Sequence, residues 1–213
     1  MARWARWWPL TGMAFVGLWI AIFIISDNEP DSGDDDAKIV AYFAKSGNRD
    51  RVFVTFFLVL AAGLLFVWFL AKLRERLARV EGGVGTLTAI AYGAGIAGVA
   101  LWLVSGALFS SAAFAVDDTK KFTLDPNTYR ILSDTGYGVF ISGTTVLALT
   151  VAATAVLALR SGLLPKWIAW LSFPVALTML VSVFFIPFLI MLGWLLVVSV
   201  TFIVRKEALA AAV

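Results

Sequence analysis

Asp134 is the one ionisable side chain set well inside the long apolar runs of this 213-residue chain, and it follows Arg130 by four residues. A carboxylate in such a run is a place to hold a cation or relay a proton, because a charge in hydrocarbon is costly. With Thr135 and Tyr137 beside it, Asp134 would lie under an outer vestibule and bind a cation there. Against this stands helical spacing: residues four apart share a face, so Arg130 and Asp134 are expected to form an interfacial ion pair, and that is the preferred reading. The other polar groups in the runs are hydroxyls, notably Thr144, Thr145, Thr150 and Thr154. Hydroxyls commonly bond to their own helix or a neighbour, so a packing role is expected, and a pore lined by Thr requires several copies.

Other chemistry is poorly provided for. The chain has no Cys or His, and no Gln, which removes thiol and imidazole catalysis, disulfides and the commonest metal and haem ligands. Asp117 and Asp118 are adjacent and point in different directions. The acids between Asp31 and Asp36 lack the spacing and the closing Glu of a calcium loop. Gly93 to Gly98 has the look of a phosphate loop but lies in an apolar helix with no strand before it. No catalytic residue, cofactor or metal is expected, and the chain is not expected to be an enzyme.

The elements that must position these residues follow from hydropathy. Hydrophobic residues make up 61% and charged ones 15%, with a mean hydropathy of +0.92. A soluble domain averages about 45 to 50% apolar and about 25% charged residues, so the solvent for this surface is a bilayer. A hydrocarbon core needs about 20 apolar residues per helix, and the runs are 10–26, 52–71, 84–116, 126–159 and 167–204. The last is too long for one crossing and is read as a hairpin, 167–184 and 187–204, turning at Phe185, Ile186 and Pro187. The expected fold is an all-α polytopic bundle of six spans forming one domain. Ser26 to Pro30 offers no small-x-small cleavage pattern, so the first span is expected to be uncleaved.

Lys and Arg set the orientation. With the N-terminus inside, the inner segments carry a net charge of +7 and the outer loops −4, which puts both termini in the cytoplasm. The pI of about 9.3 reflects these distributed topology signals, not one basic patch, so no nucleic-acid partner is expected. Trp4, Trp7, Trp8, Trp167 and Trp170 are expected as rings at the inner headgroup level.

Between 27 and 51 the outer loop is predicted to hold a short amphipathic helix, with Asp34 to Asp36 at its start, Ile39, Val40, Phe43 and Ala44 on one stripe, and Ser46-Gly47-Asn48 as a stop. Such a helix can lie on the outer leaflet or cap a cavity; the preferred reading is that it rests on the outer ends of its own bundle. Asp125-Pro126 predicts a capped helix start, so the third and fourth spans should extend beyond the membrane as an outer hairpin tipped by 117–125. Ala91, Ala94, Gly95 and Gly98 in the third span, with Gly136 and Gly143 in the fourth, give the small-residue spacing of close helix packing.

Three segments carry a family resemblance: Ala41 to Arg51 (AYFAKSGNRDR), Phe122 to Pro126 (FTLDP) and Gly162 to Trp170 (GLLPKWIAW). Through them the chain resembles small bacterial multi-pass membrane proteins of unknown function, with about six spans, over most of its length. The resemblance implies the topology and a bacterial inner membrane, and it adds no site. The leading functional expectation is a non-catalytic accessory, scaffold or assembly subunit whose partners are membrane lipids and other membrane subunits or further copies of itself. The alternatives are a homo-oligomeric channel or facilitator for ions or for small or lipophilic solutes, and a lipid-binding protein with an apolar cavity between the third, fourth and fifth helices.

Overall fold

A computed structural model gives the fold of residues 7–118 and 122–211, with side chains as far as Arg205. Seven helices follow one another: α1 (Pro9–Ser26), α2 (Asp36–Ala44), α3 (Ser46–Glu81), α4 (Thr86–Asp118), α5 (Pro126–Ser161), α6 (Lys166–Met179) and α7 (Ile186–Ala211), with a 3-10 turn (Ser182–Phe184) before α7. Five of them, α1, α3, α4, α5 and α7, are long and apolar enough to cross a membrane. Of the residues behind the charge count, Arg3, Arg6, Lys120 and Lys121 lie outside the described residues, as do the expected ring Trp4 and the side chains of Lys206 and Glu207.

The fourth predicted span begins as its sequence requires. The Asp125 side chain accepts the backbone N–H groups of Asn127 and Thr128, and Pro126 takes the first helical position, where no N–H is missed. At the other end, Gly162 adopts φ +70° and its N–H returns to the Ala158 carbonyl, closing the helix. At 36 residues each, α3 and α5 are about 54 Å long, and α4 with 33 is about 50 Å.

Close packing of α4 on α5 uses the predicted small residues. A Cβ on Gly98 would lie 3.0 Å from the Gly143 carbonyl, and one on Gly143 would lie 2.9 Å from the Gly98 carbonyl. Gly95 leaves room for Leu70 of α3, and Gly136 for Phe109. Ala91 is buried and its carbonyl accepts the Thr150 hydroxyl, while Ala94 is half-buried.

Three local expectations are corrected. Ser46-Gly47-Asn48 does not stop a helix but forms the first turn of α3, because the break falls one residue earlier at extended Lys45 (ψ 121°). Trp8 is not an interfacial ring: it is buried between Phe69 and Phe202, with ring centroids at 5.4 and 5.0 Å. The fifth span does not run as one helix to 184. It ends at Met179, and the chain turns through the 3-10 segment to Phe185, which takes φ +61° and donates its N–H to Ser182. Tyr137 bonds to the Val183 carbonyl, so this turn sits eleven residues into α5, about 16 Å below the α5 start.

The two ends of the bundle differ. At one, α2 lies over the ends of α3, α4 and α5 and forms a small core of its own, with Ile39, Phe43, Val52, Ala112, Ala113, Leu124 and Tyr129 buried together. At the other end, Glu81 caps α4 by accepting the Leu87 and Thr88 N–H groups, Arg74 lies over the Tyr92 ring, and Arg205 donates to the Gly162 carbonyl.

Candidate functional site

Under the cap segment that leads into α2, a cavity of about 480 Å³ opens among α1, residues 29–32, α3, α4, α5 and the turn before α7; no residue of α6 lines it, so it is not the expected cavity between the third, fourth and fifth spans. Its inner wall is aromatic because the apolar faces of four helices meet there. Trp19 of α1 stands 6.0 Å from Trp102 of α4, and Trp102 stands 6.1 Å from Phe140 of α5, centroid to centroid. Phe188 packs against all three, and fully buried Phe15 lies against Trp102, so packed rings close the inner end.

The rim is polar. The segment after α1 brings Glu29, Pro30, Asp31 and Ser32 to it, and α5 brings Tyr129, Ser133, Asp134 and Tyr137. This segment is held by α5 residues almost a hundred positions away: the Tyr129 hydroxyl donates to the Pro30 carbonyl, and Arg130 donates to the carbonyls of Ser32 (3.0 Å) and Asp34 (2.8 Å). Carbonyls of an irregular segment have no ladder partner, so a guanidinium with several donors satisfies them well.

That arrangement corrects the expected Arg130–Asp134 ion pair. Arg130 instead pairs with Asp36 of α2 at 2.7 Å and also reaches the Asn127 side chain at 3.2 Å. Asp134 is exposed at the cavity mouth, and among the described residues it has no ion-pair partner. Of the other predicted site residues, Tyr137 lines the cavity, whereas Thr144 lies outside its lining: its hydroxyl bonds the Phe140 carbonyl and accepts the Trp102 indole N–H at 3.2 Å. Thr145 is half-buried on the same helix, also outside the lining.

Glu29 is the residue that sequence reasoning passed over, entering only the net charge of the outer loops. It is partly buried at the rim, and burial pushes its carboxyl up to about 7. Tyr42 of α2 is pushed up as well, first by its own burial and then by the Glu29 charge. Among the described residues no Lys or Arg lines the cavity and none forms an ion pair with Glu29. The three acids of the lining do not converge as a metal-ligand cluster among the described residues. The Trp19 indole N–H is buried and has no acceptor among the described residues. The arrangement offers an apolar, aromatic body site beneath a negatively charged mouth. No protein-family model, curated protein or solved structure matches the chain.

Proposed function

We propose that the chain is a non-catalytic multi-pass protein of a cell membrane that holds an amphiphilic small molecule in the cavity beneath its cap. The make-up of the cavity carries this reading: about 480 Å³, an aromatic inner wall and a few polar groups at the rim match what small-molecule sites require. An amphiphile would set its apolar body against Trp102 and Phe140 and its polar end at the mouth. The closed inner end counts against a pore through a single copy. An accessory subunit that used only its cap as a recognition surface would have no use for such a cavity, so amphiphile binding now ranks above that expectation.

We further read the capped end as outside and both termini as cytoplasmic, with six crossings in a bacterial inner membrane. Supporting this, Lys72, Arg74, Arg76, Arg79, Arg160, Lys166 and Arg205 belong to the end away from the cap, as the excess of cations in cytoplasmic loops requires. The sixth crossing relies on α6, whose 14 residues reach only about 21 Å, together with the turn that follows it.

The test is gentle extraction from the native membrane, followed by mass determination of the intact particle with and without Thr55→Trp, which places an indole in the cavity wall. One amphiphile per chain, lost in the variant, is the expected result. A stoichiometric foreign protein with an empty cavity would restore the accessory reading, and a homo-oligomer with an empty cavity would move the reading to a channel.

A further inference from the structure

We propose that the cavity selects amphiphiles carrying a positive charge, with Glu29 and Asp134 as counter-charges at the mouth and the Trp19, Trp102 and Phe140 wall receiving the apolar body. The proposal rests on the amphiphile-binding reading above and adds the charge of the ligand.

Among the described residues, the charges that line the mouth are all negative. Glu29, Asp31 and Asp134 line it, and among the described residues no cation does. Two arginines nearby are already engaged. Arg130 is spent on the Ser32 and Asp34 carbonyls and on Asp36, and Arg49 on the Phe43 carbonyl at 2.8 Å and on Asp117 at 3.3 Å. The groups felt around Glu29 are the phenols of Tyr42 from α2 and Tyr129 from α5, and neither neutralises a carboxylate; Arg51 of α3 acts on Tyr42.

A partly buried carboxylate with no partner is costly, and a bound cation removes that cost whereas a neutral ligand leaves it in place. An anion would meet three acids. A volume of about 480 Å³ is several times what a bare metal ion needs and suits an organic cation with a sizeable apolar body. Burial holds Glu29 near pH 7, so a cation that binds beside it displaces its proton.

The experiment uses the full chain in nanodiscs of neutral lipid, with empty nanodiscs subtracted for partitioning. Two probes share a dansyl group and an alkyl chain and differ only in the end group, trimethylammonium or its uncharged carbon isostere tert-butyl. Dansyl fluorescence reports transfer into the cavity. The expected result is saturable binding of the cationic probe at least about tenfold tighter than the neutral one, a factor of ten being about 1.4 kcal/mol. Affinity for the cation should rise about fivefold to tenfold from pH 6 to pH 8, and this rise should vanish in Glu29→Gln. Equal saturable binding of the two probes to the unaltered protein overturns the charge selection and leaves amphiphile binding standing. No saturable binding of either probe overturns both. Because the comparison of probes is made on the unaltered protein, the outcome does not depend on the folding of any variant; Asp134→Asn, at an exposed position, supplies a second charge deletion, and unchanged cation affinity in both variants would also overturn the proposal.

Discussion

The bundle and its cap are held together by different forces. In the bundle the decisive contacts are apolar and close: Gly98 and Gly143 let two backbones touch, and rings from α1, α3, α4, α5 and α7 interlock. Its buried polar groups are mostly hydroxyls that bond to backbone carbonyls, as Ser105 does to Gly136 and Thr150 to Ala91. In the cap the apolar core is only a handful of residues, and two arginines, Arg49 and Arg130, do the fastening across elements distant in sequence. Shape fixes the first region and charge fixes the second. The cavity lies on the seam, which is why one of its walls is aromatic and the other acidic.

Substitution at the glycine contact separates the two regions most strongly. Gly143→Leu has to fit a branched side chain where even a Cβ meets the Gly98 carbonyl at 2.9 Å, and overpacking of this kind costs about 3 kcal/mol or more once several carbons must be accommodated. Thermal unfolding in detergent should show it as a large loss of stability or a failure to accumulate. If the variant were as stable as the parent, close packing would not be what holds α4 to α5.

A smaller effect tests the seam. The Glu29 carboxyl is raised from 4.5 to about 7 in the folded chain, so the folded state holds this proton more tightly than the unfolded one. The associated stability is fully present below pH 4.5 and is lost as pH rises to about 7, by up to about 3 kcal/mol. Glu29→Gln should therefore match the parent near pH 4 and exceed it at pH 8, in melting curves recorded across that range. Parallel curves for the two proteins would mean that Glu29 is hydrated or paired.

The cap should yield with the least cost to the whole. Arg130→Met removes an ion pair and two bonds to carbonyls, on the order of 2 kcal/mol in total, and the loss should stay local. Hydrogen exchange should accelerate across residues 29–44 and remain unchanged in the middle of α4 and α5. Acceleration spread evenly over the bundle would show that cap and bundle unfold as one unit.

Much of the bundle was legible in the sequence because bilayer length, capping and small-residue spacing are local signals. Asp125 and Pro126 announced the start of α5, and Ile39 with Phe43 announced a helix facing its neighbours. The seam was not legible in the same way. Arg130 and Asp134 have the spacing of a pair but the cation precedes the acid, the weaker order on a helix, and unsatisfied carbonyls near Ser32 and Asp34 compete for the guanidinium. Nothing local to Glu29 says that Tyr129, a hundred residues later, will draw its segment over an aromatic pocket. The one hint lay in Glu29-Pro30 directly after an apolar helix, an acid placed where the chain must change direction.

The turn between α6 and α7 stops about 16 Å short of the α5 start, and its Leu180, Val181, Val183, Phe184 and Ile186 side chains are all more than half exposed. Such a tip belongs among acyl chains, not among headgroups. With six crossings, the leaflet on the capped side would have to thin to meet the tip or close over it, at a cost of fractions of a kcal/mol per Å of mismatch. The protein would then be a gauge of bilayer thickness: more comfortable in a thin membrane than in a thick one, and a local dimple in whichever membrane holds it.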